Sequence, residues 1–235
     1  MKLPPVSILI PNHQMSHHLP SLIRNIEQQL QAEDEVIIFF DGTPLTEELL
    51  RFIRQRTYIS FKQTREQVGA SEARNRLLGL AKNELVRFQD ADNTFAPHAL
   101  YVARRYAKAL QDQSWHVLLG GQLVYKDGLL DQIDLGEFQK RINNLDISNS
   151  IELNMCFFNK QSVQSIGGFD QQLKQLAHWD LWLRLQALHS ENTFQITSQL
   201  FGVKNIYTQE QANKKRQSDV NGIPVEDYIA GKKNG

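Results

Sequence analysis

Apolar positions in the first half of the chain follow two alternating rhythms. Val6-Ser7-Ile8-Leu9-Ile10 is a short β-branched run that stops at Pro11, the pattern of a strand buried on both faces. Leu19, Leu22, Ile23, Ile26 and Leu30 then recur at helical spacing. Glu35-Val36-Ile37-Ile38-Phe39-Phe40 reads as a second strand, closed by the turn signal Asp41-Gly42-Thr43-Pro44. A helix over 45–56, a third strand over 58–62 and a helix over 70–81 follow. Leu85-Val86-Arg87-Phe88 is the fourth strand and runs into Asp90, with another helix over 97–110. Strands alternating with helices predict an α/β fold, a mostly parallel central sheet flanked by helices.

The second half has a different rhythm. Trp115 to Tyr125 and Ile151 to Phe158 read as strands separated by a polar, turn-rich stretch. Gly167-Gly168-Phe169-Asp170 predicts a tight turn before a helix over 176–188, and Thr193 to Val203 one more strand. From Tyr207 onward Gln, Lys and Asn dominate with little apolar periodicity. Residues 1–205 therefore read as one domain of two halves, 1–112 and 113–205, and 206–235 as a polar C-terminal tail.

Composition narrows the picture. Hydrophobic residues make up 41% of the 235, enough for a real core, and 26 basic residues balance 26 acidic ones. That balance gives no pull towards nucleic acid. The single Cys156 excludes an internal disulfide framework and fits a reducing compartment. No signal-peptide pattern leads the chain, and no stretch approaches the ~20 apolar residues of a membrane span. A cytoplasmic location is expected, with peripheral contact at the inner face of a membrane left open.

In parallel sheets ligands sit beyond the carboxyl ends of the strands. Asn12, Asp41 and the Asp90/Asp92 pair all stand at such ends. Asp90-Ala91-Asp92 sets two carboxylates one small residue apart, within reach of one hard divalent cation, Mn²⁺ or Mg²⁺. Such an ion neutralises a diphosphate leaving group. The plainer reading is two solvated turn aspartates, and position at a strand end weighs against it. Asp41 could accept hydrogen bonds from a base or ribose, or simply make an Asp-Gly turn. Arg74 could grip a phosphate or the Asp90 carboxylate with its rigid fork of donors, or face solvent.

Taken together, Val6-Ser7-Ile8-Leu9-Ile10-Pro11-Asn12, Phe40-Asp41-Gly42-Thr43, Ala73-Arg74-Asn75, Phe88-Gln89-Asp90-Ala91-Asp92-Asn93, Gly167-Gly168-Phe169-Asp170 and Trp179-Asp180-Leu181-Trp182-Leu183-Arg184 resemble, in order, the family 2 glycosyltransferases of the GT-A fold. The resemblance runs from residue 6 to about 185. It implies a nucleotide-binding half over 1–112 and an acceptor-side half over 113–205. It also implies a nucleoside-diphosphate-sugar donor, with a UDP-sugar expected, a glycan or lipid-linked acceptor, a divalent metal and inversion at the anomeric carbon. Carried over, Pro11 and Asn12 line the nucleotide pocket, Asp41 contacts base or ribose, and Arg74 lies near the diphosphate. Asp90 and Asp92 hold ribose and metal, and Gly167 and Gly168 form the turn beneath the acceptor.

Three departures matter. The family's Asp-Asp-Gly-Ser is Phe40-Asp41-Gly42-Thr43 here, so one nucleotide contact is lost. The family's Glu-Asp, whose second member deprotonates the acceptor, is Ala177-His178. No metal-binding histidine stands around Val203-Lys204-Asn205. Three readings of His178 follow: it is the base; it supports the site or binds the acceptor, with Asp180 as the base; or the site is defective. Residues two apart on a helix point in different directions, so His178 and Asp180 take different roles. Trp179 and Trp182 are candidates for stacking an acceptor sugar, with at least one of them core. His13, His17 and His18 read as a loop near the nucleotide or as surface, and Lys214-Lys215-Arg216 as a solvated face.

Rival classes are a GT-A-like module that binds a nucleotide sugar without transferring it, and a nucleotidyltransferase. The second lacks a Gly-rich, Lys-bearing loop after the first strand. Pro11-Asn12-His13-Gln14 also stands where a dinucleotide-dependent dehydrogenase needs glycines.

Overall fold

The structure, a computed structural model, describes residues 2–147, 149–173, 175–189, 193–207, 219–220 and 223–224. β1 (Val6–Asn12) and β2 (Glu35–Phe40) are buried along nearly their whole length, as their unbroken apolar runs require. Between them α1 (Leu19–Glu27) begins with Pro20 in its first turn, where a missing N–H costs nothing. It turns Leu19, Leu22, Ile23 and Ile26 inward. α2 (Glu47–Arg54) is capped by Thr46, whose hydroxyl accepts from Leu49 N at 3.2 Å. β3 (Ile59–Gln63), α3 (Ala70–Leu80) and β4 (Leu85–Phe88) complete the alternation.

β3, β2, β1 and β4 lie side by side in parallel, with Leu9 of β1 opposite Phe88 of β4. The chain thus builds outward from β1 in one direction and then returns to its other side. That reversal opens a crevice at the carboxyl ends of β1 and β4. β1 sends Val6, Ile8 and Ile10 into a core with α1, α2 and α4 (Ala99–Ala109), and Leu9 into the opposite core with α3.

Beyond β4 the sheet becomes mixed. β8 (Cys156–Asn159) pairs antiparallel with β4 and with β6 (Val117–Lys126). β9 (Phe194–Ile206) lies parallel to β6 and antiparallel to the two-residue β5 (Thr94–Phe95). β9 runs through Ile206, one residue past the expected boundary at 205. Beyond it the described residues are Tyr207 and the antiparallel pair β10 (Asp219–Val220) and β11 (Ile223–Pro224). The Lys214-Lys215-Arg216 run lies outside the described residues.

The turn-rich stretch expected between 125 and 151 contains β7 (Leu129–Asp134), hydrogen-bonded to β6, and α5 (Phe138–Asn143). Next come a 3-10 turn over Leu153–Met155 and, after β8, α6 (Lys160–Ser165). The helix α7 (Ala177–His189) buries Trp179, Asp180, Leu181, Trp182 and Leu185 on the same side of the sheet as α3.

One buried charge pair ties α4 to the base of β1 and β2. Asp34 accepts from Val6 N at 2.9 Å and Gln31 N at 2.6 Å, and it pairs with Arg104. Both side chains are wholly buried.

Candidate donor site

The carboxyl ends of β1, β2 and β4 bring the candidate residues to one edge of the sheet. Asn12 is buried at the end of β1, its Nδ2 donating to Ser16 Oγ at 2.9 Å. Its Oδ1 is buried with no hydrogen-bond partner among the described residues. Buried acceptors of that kind are rare in folded proteins, and one facing a ligand crevice suits a donor group on the ligand. Pro11, one residue earlier, pairs in register with Phe39 of β2.

Asp41 is buried too, and its role in the structure is architectural. One carboxylate oxygen accepts from Val68 N at 2.6 Å and the other from Gly69 N at 2.9 Å. Gly69 is the N-cap of α3, with φ +95°, so the carboxylate also complements the helix's positive end. The main chain around it is tight: Asp41 O lies 2.7 Å from His13 Nδ1, and a Cβ on Gly42 would press on the Gln67 backbone. Asp41 thus fixes the 64–69 loop over the end of β2, with both oxygens already hydrogen-bonded. Asp41→Ala should leave two amide donors unsatisfied at about 1–3 kcal/mol each, read as a lower urea midpoint. An unchanged midpoint would remove this structural role.

Arg74 projects from α3 to the end of β4, where its Nη2 meets Asp90 Oδ1 at 2.9 Å. It has the Phe169 ring 5.5 Å from its guanidinium carbon, and its buried Nε has no hydrogen-bond partner among the described residues. Asp90 is half-exposed, and Asp92 is partly buried one residue beyond Ala91. The loop bearing them is clamped to β9: Asn205 Nδ2 donates to Asp92 O and Asn205 N to Asn93 Oδ1, both at 2.9 Å.

These carboxylates fit a divalent cation of the kind that takes one or two protein ligands and completes its shell from phosphate and water. Among the described residues no group of three or more His, Cys, Asp or Glu side chains is arranged to hold a metal. An ion here would draw on Asp90 and Asp92 and depend on the nucleotide for the rest.

α7 delivers His178 to the same place. The charges it senses are those of Glu152, Arg74, Asp90 and Lys204, and burial pushes its pKa down to about 4. Its Nε2 lies 2.7 Å from Asn149 Nδ2. Asp180, expected as an alternative base, is buried and turned elsewhere. Its Oδ2 accepts from Arg184 Nε at 2.8 Å and Nη2 at 2.5 Å, while Arg184 also donates to Ile166 O and Gly168 O at 2.7 Å. A buried carboxylate so paired braces the Gly167-Gly168 turn, which corrects the reading of Asp180 as a base. Trp179 is corrected as well. Its Nε1 donates to Leu145 O at 2.5 Å inside the core, and Trp182 donates to Ile151 O at 3.0 Å, so neither indole face is presented to a sugar. Gly168, at φ +75°, packs so closely on the Asn75 side chain that a Cβ would collide with it. The turn thereby touches the helix that carries Arg74.

His17 and His18 form a 3-10 turn beyond β1, with His18 stacked on Tyr207 at 5.4 Å. The residues that sequence reasoning missed are Asn149, Glu152 and Lys204. Lys204 Nζ lies 2.7 Å from Glu152 Oε1. The local signal for Glu152 was a lone carboxylate at the head of the apolar run Ile151 to Phe158.

With this geometry in place, comparison with known proteins identifies the class. The family model described as Glycosyl transferase family 2 matches residues 7–163, and the chain belongs to that family. No match is found among curated proteins. Among solved structures the chain is similar to S. aureus TarS 1-349, with a TM-score of 0.68 at 16% identity, over 86% of this chain and 60% of that one. The same protein in complex with UDP-GlcNAc gives 0.68 at 17% identity over 94% and 62%. Its complex with UDP gives 0.62 at 14% over 97% and 70%. The fold is thus that of a GT-A glycosyltransferase, in a chain spanning about three-fifths of the first of those relatives. No helix among the described residues is long and apolar enough to cross a membrane.

Proposed function

We propose that this chain transfers a glycosyl group from a nucleoside-diphosphate sugar to a hydroxyl of a glycan or lipid-linked acceptor, with inversion. A UDP-sugar is the expected donor, since two of the structural neighbours are complexes with UDP-GlcNAc and with UDP. The observation that carries the reading is the Arg74–Asp90 pair at the crevice between β1 and β4, with Asp92 and the unpartnered Asn12 Oδ1 beside it. Asn12 would accept a hydrogen bond from the nucleotide, and Arg74 would offer its guanidinium to the diphosphate. Asp90 and Asp92 would hold Mn²⁺ or Mg²⁺, which when bound stabilises the departing diphosphate's charge. Inversion follows from one displacement, the acceptor oxygen entering opposite the leaving group. A cytoplasmic enzyme touching the inner membrane face would reach lipid-linked acceptors.

A second reading, a module that binds the donor without transferring it, is favoured by Ala177-His178 in the family's acid pair and by the commitment of Asp180 to Arg184. A thermal-shift screen with nucleoside diphosphates and their sugars, with and without Mn²⁺, tests the donor site. A ligand at 100 times its Kd should add about 2.7 kcal/mol of stability. Absence of any shift would count against both readings. Release of UDP above background separates the first from the second.

A further inference from the structure

Transfer needs a group to take the acceptor proton, and the family's position for it holds His178. That imidazole is poorly disposed to do so, because its Nε2 is already engaged with Asn149. Asp180 is turned to Arg184. Another carboxylate stands beside the donor site. Glu152 is the anion His178 senses most strongly, ahead of Asp90, and its side chain is 42% exposed. Its partner Lys204 is the neighbour of Asn205, which donates to Asp92 O at 2.9 Å, so β9 ties Glu152 to the donor loop while its side chain stays open to an incoming hydroxyl.

Its surroundings hold it in place. Lys204 of β9 fixes Oε1 at 2.7 Å. The Glu152 carbonyl accepts from Met155 N at 3.1 Å, closing the 3-10 turn that begins at Leu153. That turn is fastened to β4, because Arg87 Nη2 donates to Asn154 O at 2.6 Å. On its other side Gly202 of β9 lies so close to the Asn154 carbonyl that no side chain fits. Arg87 stands three residues before Asp90 on one continuous stretch, so a single side chain links the turn carrying Glu152 to the loop carrying the donor carboxylates. Catalytic groups need that kind of mutual rigidity.

Building on the glycosyl-transfer reading above, we propose that Glu152 is the base that activates the acceptor, with Lys204 as its positioning residue. The Glu152 carboxylate takes the proton of the acceptor hydroxyl as that oxygen bonds to the anomeric carbon. The bond from the anomeric carbon to the β-phosphate oxygen breaks, and its electron pair leaves on the nucleoside diphosphate. The protonated Glu152 then returns its proton to water. His178 stays neutral, held by Asn149.

The test compares wild type, Glu152→Gln, Glu152→Ala and His178→Ala. UDP binding is followed by calorimetry with Mn²⁺, and UDP release is followed from a set of UDP-sugars with water or sugar glycosides as acceptors. Glu152→Gln should bind UDP within about twofold of wild type, which also certifies its fold, while turnover falls about 10²–10⁴-fold. Sodium formate should restore part of the turnover of Glu152→Ala, a response that a merely structural role would not give. Turnover of Glu152→Gln within about threefold of wild type overturns the assignment and leaves the donor reading standing. A loss confined to His178→Ala moves the base to that residue. Wild type that binds UDP but releases none from any donor overturns the assignment together with transfer. Failure to bind UDP at all removes the donor reading itself.

Discussion

Replacing Arg104 by alanine should lower folding stability by about 3–5 kcal/mol, the range for stranding one member of a buried ion pair. Arg104 and Asp34 are both fully buried, and Asp34 also accepts from Val6 N and Gln31 N. Burial pulls the Arg104 pKa down while Asp34 opposes it, so the pair holds each charge in place. Without the guanidinium, the carboxylate under β1 and β2 is left charged in a medium that cannot solvate it. Asp34→Asn combined with Arg104→Met should cost less than Arg104→Ala alone, because no lone charge remains inside. Urea denaturation measures both. A loss under about 1 kcal/mol for Arg104→Ala would show that water reaches Asp34.

The second large effect is expected on function. Asp90→Ala should lower kcat/KM for UDP-sugar turnover by about 10²–10³-fold, the scale seen when one fixed electrostatic contact to a developing charge is removed. It would take away one of the two carboxylates proposed to hold a divalent ion, and it leaves Arg74 without its 2.9 Å partner. Because Asp90 is half-exposed, stability should change by about 1 kcal/mol or less. Normal turnover in this variant would move the donor site away from the end of β4.

The two halves of the fold were unequally legible. β1, β2 and β4 are unbroken apolar runs because a parallel strand is buried on both faces, and α1 shows its inward face at a period of 3.6. Those patterns are local, so a single sequence displays them. β8 entering between β4 and β6 is a long-range pairing, and nothing within Cys156–Asn159 says which strands it will join. β7 escaped for another reason. Leu129, Leu130 and Ile133 remain exposed, so no buried face imposes an alternation on Leu129–Asp134.

The site divides in the same way. Asp90 and Asp92 could be picked out because they follow an apolar strand, and Arg74 because it precedes them on a helix. The partnership of Glu152 with Lys204 spans 52 residues and that of Asn149 with His178 spans 29, and no motif spacing announces either. Asp180 was misjudged because its nearness to His178 in sequence hides Arg184, one helical turn later, which claims it.

Arg87 has an electrical consequence of its own. It is wholly buried between the rings of Phe95 and Phe157, 4.4 and 4.8 Å from their centres, and makes no ion pair among the described residues. Burial pulls its pKa down to about 9, so near neutral pH it keeps its proton. A positive charge sealed in a poorly polarisable medium is weakly screened by salt. It adds a standing positive contribution below the end of β4 that offsets part of the Asp90 charge. On the proposed donor reading, that contribution would ease the approach of a diphosphate from within the sheet as well as from its rim.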